Sequence, residues 1–170
     1  MTPAPRSRSL LSGLGGALAF AAAIGLCSPA GADDGDRASR AARVPLLPAY
    51  KAECAACHIA YPPALLPAAS WQRLMKDLPH HFGTDASLDP AAVTALSTWL
   101  TANAAQGRRA ASPPPAEDRI TRSAWFTRKH DEVPAATWQR PSIKSASNCM
   151  ACHSGADRGD FNEHNVRIPR

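Results

Sequence analysis

The chain has 170 residues, five cysteines and a formal net charge of +5, with 19 Lys and Arg against 14 Asp and Glu. Two arginines and one cysteine fall in a leading segment that reads as a removable export signal; without it, 17 basic residues face 14 acidic ones, a net +3. That mild excess excludes the concentrated basic footprint of a nucleic-acid binder, and the four cysteines left form two Cys-x-x-Cys pairs rather than a scattered disulfide framework.

In chain order, Arg6 and Arg8 make a small positive start, an apolar run follows from Leu10 to Leu26, and Ser28-Pro29-Ala30-Gly31-Ala32 offers a small-residue cleavage site before Asp33 and Asp34. This order predicts a secretory signal over residues 1–32, cleaved after Ala32. A retained membrane anchor is the competing reading, but the run is near the minimum for a span and rich in Gly and Ala. Ser7 splits the arginines, which removes the twin-arginine alternative. Cys27 follows Leu26 rather than a small residue, which removes lipid anchoring. The mature chain, residues 33–170, is expected in the periplasm.

Residues 33–43 are charged, Ala-rich and expected to be floppy. A first compact unit is expected over 44–107. Within it, Trp71, Leu74, Met75 and Leu78 recur at helical spacing, with Ser70 as the expected cap and Pro79 at the exit. Asp89-Pro90 is a strong helix start, a capping carboxylate followed by proline at the first helical position. Val93, Leu96, Trp99 and Leu100 then form one apolar face. Residues 108–118 read as a linker, in which Ser112-Pro113-Pro114-Pro115 favours extended backbone. A second unit is expected over 119–170, with Trp125, Phe126, Trp138 and Phe161 but little periodicity. So few apolar side chains make a marginal core, and such a unit needs a staple. The fold class expected is mainly α with extensive irregular structure.

The staple is legible in Cys54-Ala55-Ala56-Cys57-His58 and Cys149-Met150-Ala151-Cys152-His153. Cys-x-x-Cys-His is the attachment signature of c-type haem. Two cysteines three apart reach the two vinyl groups of one porphyrin, and the adjacent histidine supplies the proximal nitrogen to the iron. The cofactor-binding residues are therefore Cys54, Cys57, Cys149 and Cys152, the proximal metal ligands His58 and His153, and the cofactors two covalently bound haem c groups. A Cys-four zinc site is disfavoured because the pairs lie far apart in sequence, whereas zinc ribbons separate them by roughly 15–20 residues. A thioredoxin-like pair lacks its strand–helix setting, and plain disulfides would not need a histidine after each pair.

The ligand on the far side of each iron separates electron transfer from substrate chemistry. Met75 lies on an apolar helix face and reads as core; Met150 sits inside an attachment loop and is badly placed to cross over. His80 and His81 leave a helix end, where one of the two could turn onto a porphyrin face. His130 follows Trp125-Phe126, aromatics fit to wall a pocket. His164 lies among Asn162, Glu163 and Asn165 and reads as surface. Histidine on both faces would close the iron to oxygen or peroxide and lower its potential relative to methionine ligation. The expectation is two low-potential electron carriers.

Longer blocks carry a resemblance. They are Glu53 to Pro63, Leu65-Leu66-Pro67, Ser70-Trp71, His81-Phe82-Gly83, Asp85 to Leu88, Arg119-Ile120-Thr121, Trp125-Phe126, Lys129-His130, Asn148 to His153, Gly159-Asp160-Phe161 and Val166 to Pro169. Together they make the chain resemble the dihaem cytochrome c family typified by the electron donor to sphaeroides haem protein. The resemblance implies a class I cytochrome c-like N-terminal domain and a small, loop-rich haem-binding C-terminal domain. It implies His81 and His130 as distal ligands, His81 for the first haem and His130 for the second. It also implies a redox partner, an oxygen-binding monohaem cytochrome c or a membrane cytochrome b.

An electron carrier is thus expected rather than an enzyme. The competing reading, a dihaem peroxidase, needs an open iron and an acid–base constellation beyond the histidines, which the chain does not display. Arg108, Arg109, Arg167 and Arg170 are the cations available to steer an acidic partner.

Overall fold

The computed structural model describes residues 44–170. The predicted export signal 1–32 and the charged segment 33–43 lie outside them.

The first helix, α1 (Pro48–Cys54), begins with proline at its first position and buries Tyr50. It was not foreseen from periodicity, being a short helix with one inward ring. Its last residue is the first cysteine of the first pentapeptide, so the helix end presents that motif.

A buried run from Pro62 to Pro67 leads into α2 (Ala68–Lys76). The indole Nε1 of Trp71 donates to the Pro63 carbonyl at 2.7 Å, tying helix to run. Ser70 is not the cap expected from sequence. The helix starts at Ala68 after Pro67, whose extended backbone already sets the entry, and Ser70 is an interior, fully buried position. The helix stops at Lys76, short of Pro79, because α backbone is disfavoured just before proline; Leu78–His80 continues as a separate 3₁₀ turn.

Helix α3 (Pro90–Ala102) starts as predicted. Asp89 accepts hydrogen bonds from the amides of Ala91 and Ala92, and Pro90 occupies the first position. Leu96 and Leu100 are each 1 % exposed, and Val93 and Trp99 pack beside them. Helices α2 and α3 pack together, and the core comprises Tyr50, Ala60, Leu66, Trp71, Met75, Leu78, Leu96, Leu100 and Ala104. Burying each of these leucines contributes about 1.5–3 kcal/mol. Met75 is thus core, as its helix face suggested.

The predicted linker is only partly extended. Gly107–Ala111 forms a short helix, α4, and the extended backbone begins at Ser112. Arg109 explains the difference: its guanidinium donates to the Ala64 carbonyl at 3.0 Å and lies 4.3 Å over the Trp125 ring. That side chain is engaged internally rather than offered to a partner.

Beyond it, Ser123 caps α5 (Ala124–Lys129) by accepting from the Phe126 amide. Helix α6 (Ala135–Trp138) follows, then 3₁₀ turns at Cys149–Ala151, Ala156–Arg158 and Glu163–Asn165. The described residues form no strand, only isolated bridges such as His153–Val166 and Gly155–Asp160. The C-terminal tail is tied back: Arg140 donates to the Pro169 carbonyl at 2.8 Å and the Arg167 amide to the Cys152 carbonyl at 2.9 Å. Residues on either side of the Pro-rich stretch meet through a two-pronged Arg73–Asp118 pair, with contacts of 2.8 and 2.6 Å, and through Ile120 against the core.

Candidate functional site

The two pentapeptides are held differently. Cys54 closes α1, whereas Cys149 opens a 3₁₀ turn in which the Cys152 and His153 amides both donate to the Cys149 carbonyl. All four cysteines are free of disulfides. Burial pushes the Cys54 thiol up to about 11, helped by Glu53, and burial pushes Cys149 to about 11 and raises Cys152 as well. Among the described residues no three His, Cys, Asp or Glu side chains converge as an all-protein metal site.

The histidines, by contrast, come together in two pairs. His58 and His81 have ring centroids 6.1 Å apart; His130 and His153 have theirs 6.2 Å apart. A metal bonded to one nitrogen of each ring at about 2 Å, with roughly 1 Å from that nitrogen to the ring centre, separates the centroids by about 6 Å. Each pair therefore has the centroid spacing of two imidazoles on one metal.

Ring orientation is fixed on one side of each pair. The Nδ1–H of His58 donates to the Ile59 carbonyl at 2.7 Å, and that of His130 to the Phe126 carbonyl at 2.9 Å. Because a carbonyl only accepts, Nδ1 carries the proton and Nε2 keeps its lone pair for a metal. In His81 and His153 the buried Nδ1 has no protein partner. Burial lowers the proton affinity of both rings. For His81 the neighbouring His58 and Arg119 add to this; for His153 the neighbour is His130, opposed by Asp160. Neutral imidazole is the ligand form.

Local backbone explains why His81 and not His80 faces His58. His80 is exposed and paired with Asp77 at 2.7 Å, which raises its proton affinity. After His81 the chain reverses: Phe82 has φ +51° and Gly83 φ +92°, and the Thr84 amide donates back to the His81 carbonyl. A left-handed Phe is uncommon. Here its ring packs edge-on against His81 at 4.8 Å and carries the Arg119 guanidinium at 4.2 Å on its face.

The second pair is walled by aromatics. Phe126 stacks on His130 at 4.0 Å, Trp138 lies 5.8 Å away, and Phe161 lies 5.5 Å from His153. Gly155 permits that wall, because a Cβ there would stand 2.8 Å from the Cβ of Asp160, the residue before Phe161. Tyr61, inside the block Glu53 to Pro63, stacks its ring on His58 at 4.8 Å; no motif marks it for a role of its own. Met150 and His164 are exposed.

A family model for dihaem cytochrome c matches residues 50–161, which span both pentapeptides and both histidine pairs. The chain belongs to the dihaem cytochrome c family. Among solved structures, a diheme cytochrome c from Shewanella baltica is 41 % identical, with 72 % of this chain and 92 % of that chain covered and a TM-score of 0.63. Two structures of the Rhodobacter sphaeroides diheme cytochrome c are 50 % and 48 % identical, with TM-scores of 0.58 and 0.60; each covers 68 % of this chain and 96 % of its own. No curated protein sequence matches significantly. Family membership gives this dihaem cytochrome two covalently bound haem c groups and haem-based electron transfer as its business. The paired histidines, the two Cys-x-x-Cys pairs free of disulfides and the aromatic walls fit those groups.

Proposed function

We propose that this dihaem cytochrome is a periplasmic electron relay in which both irons are held by two histidines, His58 with His81 and His153 with His130. Cys54 and Cys57 anchor the first haem, Cys149 and Cys152 the second. The observation that carries the reading is the centroid spacing of 6.1 and 6.2 Å in two independent histidine pairs, each joining a pentapeptide histidine to one remote in sequence.

When bound, each haem would supply an iron able to take up and give back one electron. His58 with His81, and His153 with His130, would hold that iron and leave no place for oxygen or peroxide, which would separate a carrier from a peroxidase. The Ile59 and Phe126 carbonyls hold one imidazole of each pair in its tautomer. Phe126, Trp138 and Phe161 wall the second pair.

The proposal extends to architecture and partner. Residues 44–107 serve as a class I cytochrome c-like domain and 119–170 as a small haem domain, with 108–118 between them. The partner is another redox protein, an oxygen-binding monohaem cytochrome c or a membrane cytochrome b.

The test is absorption and electron paramagnetic resonance of the purified mature protein, with carbon monoxide added to the reduced form. Wholly low-spin spectra and no carbon monoxide adduct are expected. A high-spin haem, or ready carbon monoxide binding at either site, overturns the ligation.

A further inference from the structure

Tyr61 touches both haem-attachment regions. Its ring stacks on His58 with an interplanar angle of 26°. Its hydroxyl donates to the Ser147 carbonyl at 2.8 Å, across 86 residues of sequence. Ser147 is two residues before Cys149, and the Cys149 amide itself donates to the same Ser147 carbonyl at 3.0 Å. A continuous path therefore runs from the His58 ring through the phenol and one hydrogen bond to the Ser147 carbonyl, and through a second to the residue that anchors the other haem. The path is braced from behind, because the buried Tyr50 hydroxyl donates to the Tyr61 carbonyl at 2.9 Å.

We propose that Tyr61 is a positioning residue for internal electron transfer, coupling the first haem to the second through His58 on one side and the Ser147–Cys149 segment on the other. The inference rests on the proposed ligation of the first iron by His58. In the step itself one ferrous iron becomes ferric and the other ferric iron becomes ferrous. One electron moves, no bond forms or breaks, and no proton leaves the phenol. Tunnelling falls off faster across open gaps than through bonds and hydrogen bonds, so losing the hydroxyl breaks the hydrogen-bonded part of this route.

The experiment uses the mature protein with both haems attached. The half-reduced protein is photoreduced by a laser flash and relaxation between the two haems is followed, with the potential of each haem measured on the same samples. Tyr61→Phe is expected to keep the stack on His58 and slow the exchange several-fold at unchanged potentials. Tyr61→Leu, which also loses the stack, should slow it further. Asp118→Asn loosens a different contact across the chain, to Arg73, and should leave the rate as in the wild type. Wild-type rates in both Tyr61 variants at wild-type potentials overturn the proposal. Equal slowing in Asp118→Asn also overturns it, since general loosening then accounts for the effect. Low-spin spectra of the same samples report the ligation separately, so failure of the relay role and failure of bis-histidine ligation are told apart.

Discussion

At the scale of single residues, the difference between His80 and His81 is a difference of backbone direction. Asp77 holds His80 outward, and the left-handed Phe82 turns His81 back toward His58. His81→Ala should convert the first haem alone to five-coordinate, high-spin spectra, and His130→Ala the second alone; His80→Ala should be spectrally silent. A wild-type low-spin spectrum for both haems in either ligand variant removes that residue from the site. The proximal histidines were legible directly, because Cys-x-x-Cys-His is a local code. The distal pair was not. Helix-end position left His80 and His81 open, and only the longer family resemblance chose between them. What decides it physically is a turn geometry and a contact far along the chain, neither of which leaves a periodic trace.

At the scale of elements, the sequence was most readable where local chemistry sets the structure. Asp89-Pro90 marked the start of α3, and the observed cap is the expected one. Asp89→Ala should cost about 1 kcal/mol of stability, measured as a shift in the denaturation midpoint, with the haem spectra unchanged. Ser70 misled because its residue type suits a cap while the neighbouring Pro67 had already set the helix entry. The helical turn of α4 was missed because Arg109 stabilises it through tertiary contacts with Ala64 and Trp125, which composition does not reveal. The Arg73–Asp118 pair acts between elements and depends on pH. Partial burial works against the Asp118 carboxylate, but the hydrogen bonds from Arg73 prevail and hold its pKa below the usual aspartate range. Its contribution, about 1 kcal/mol or less for a pair with one exposed partner, is full above the ordinary carboxyl pKa and is lost as pH falls through the lowered one. Wild type should therefore be more stable than Asp118→Asn at neutral pH, with the gap closing only in strong acid, as read from denaturation midpoints across pH.

At the scale of the whole molecule, the apolar core is gathered around α2 and α3, and the chain after Asp118 has far less of its own. Phe126 and Ile143 are its large buried apolar side chains, while Trp125, Trp138 and Phe161 are partly exposed. A second haem fixed by two thioethers therefore has a structural share in residues 119–170. The double change Cys149→Ser and Cys152→Ser should abolish the second haem and open this region to limited proteolysis, while the first haem keeps its spectrum. Resistance to protease equal to wild type would show that the segment stands without its cofactor.

The tight approach at Gly155 has a consequence for variation. Directly after the second pentapeptide, the peptide doubles back so closely on Asp160 that even a methyl group meets that side chain at 2.8 Å. A saturation library at position 155, sorted for the colour of the second chromophore, should return the parental amino acid almost alone, while neighbouring Ser154, which is exposed, accepts wide replacement.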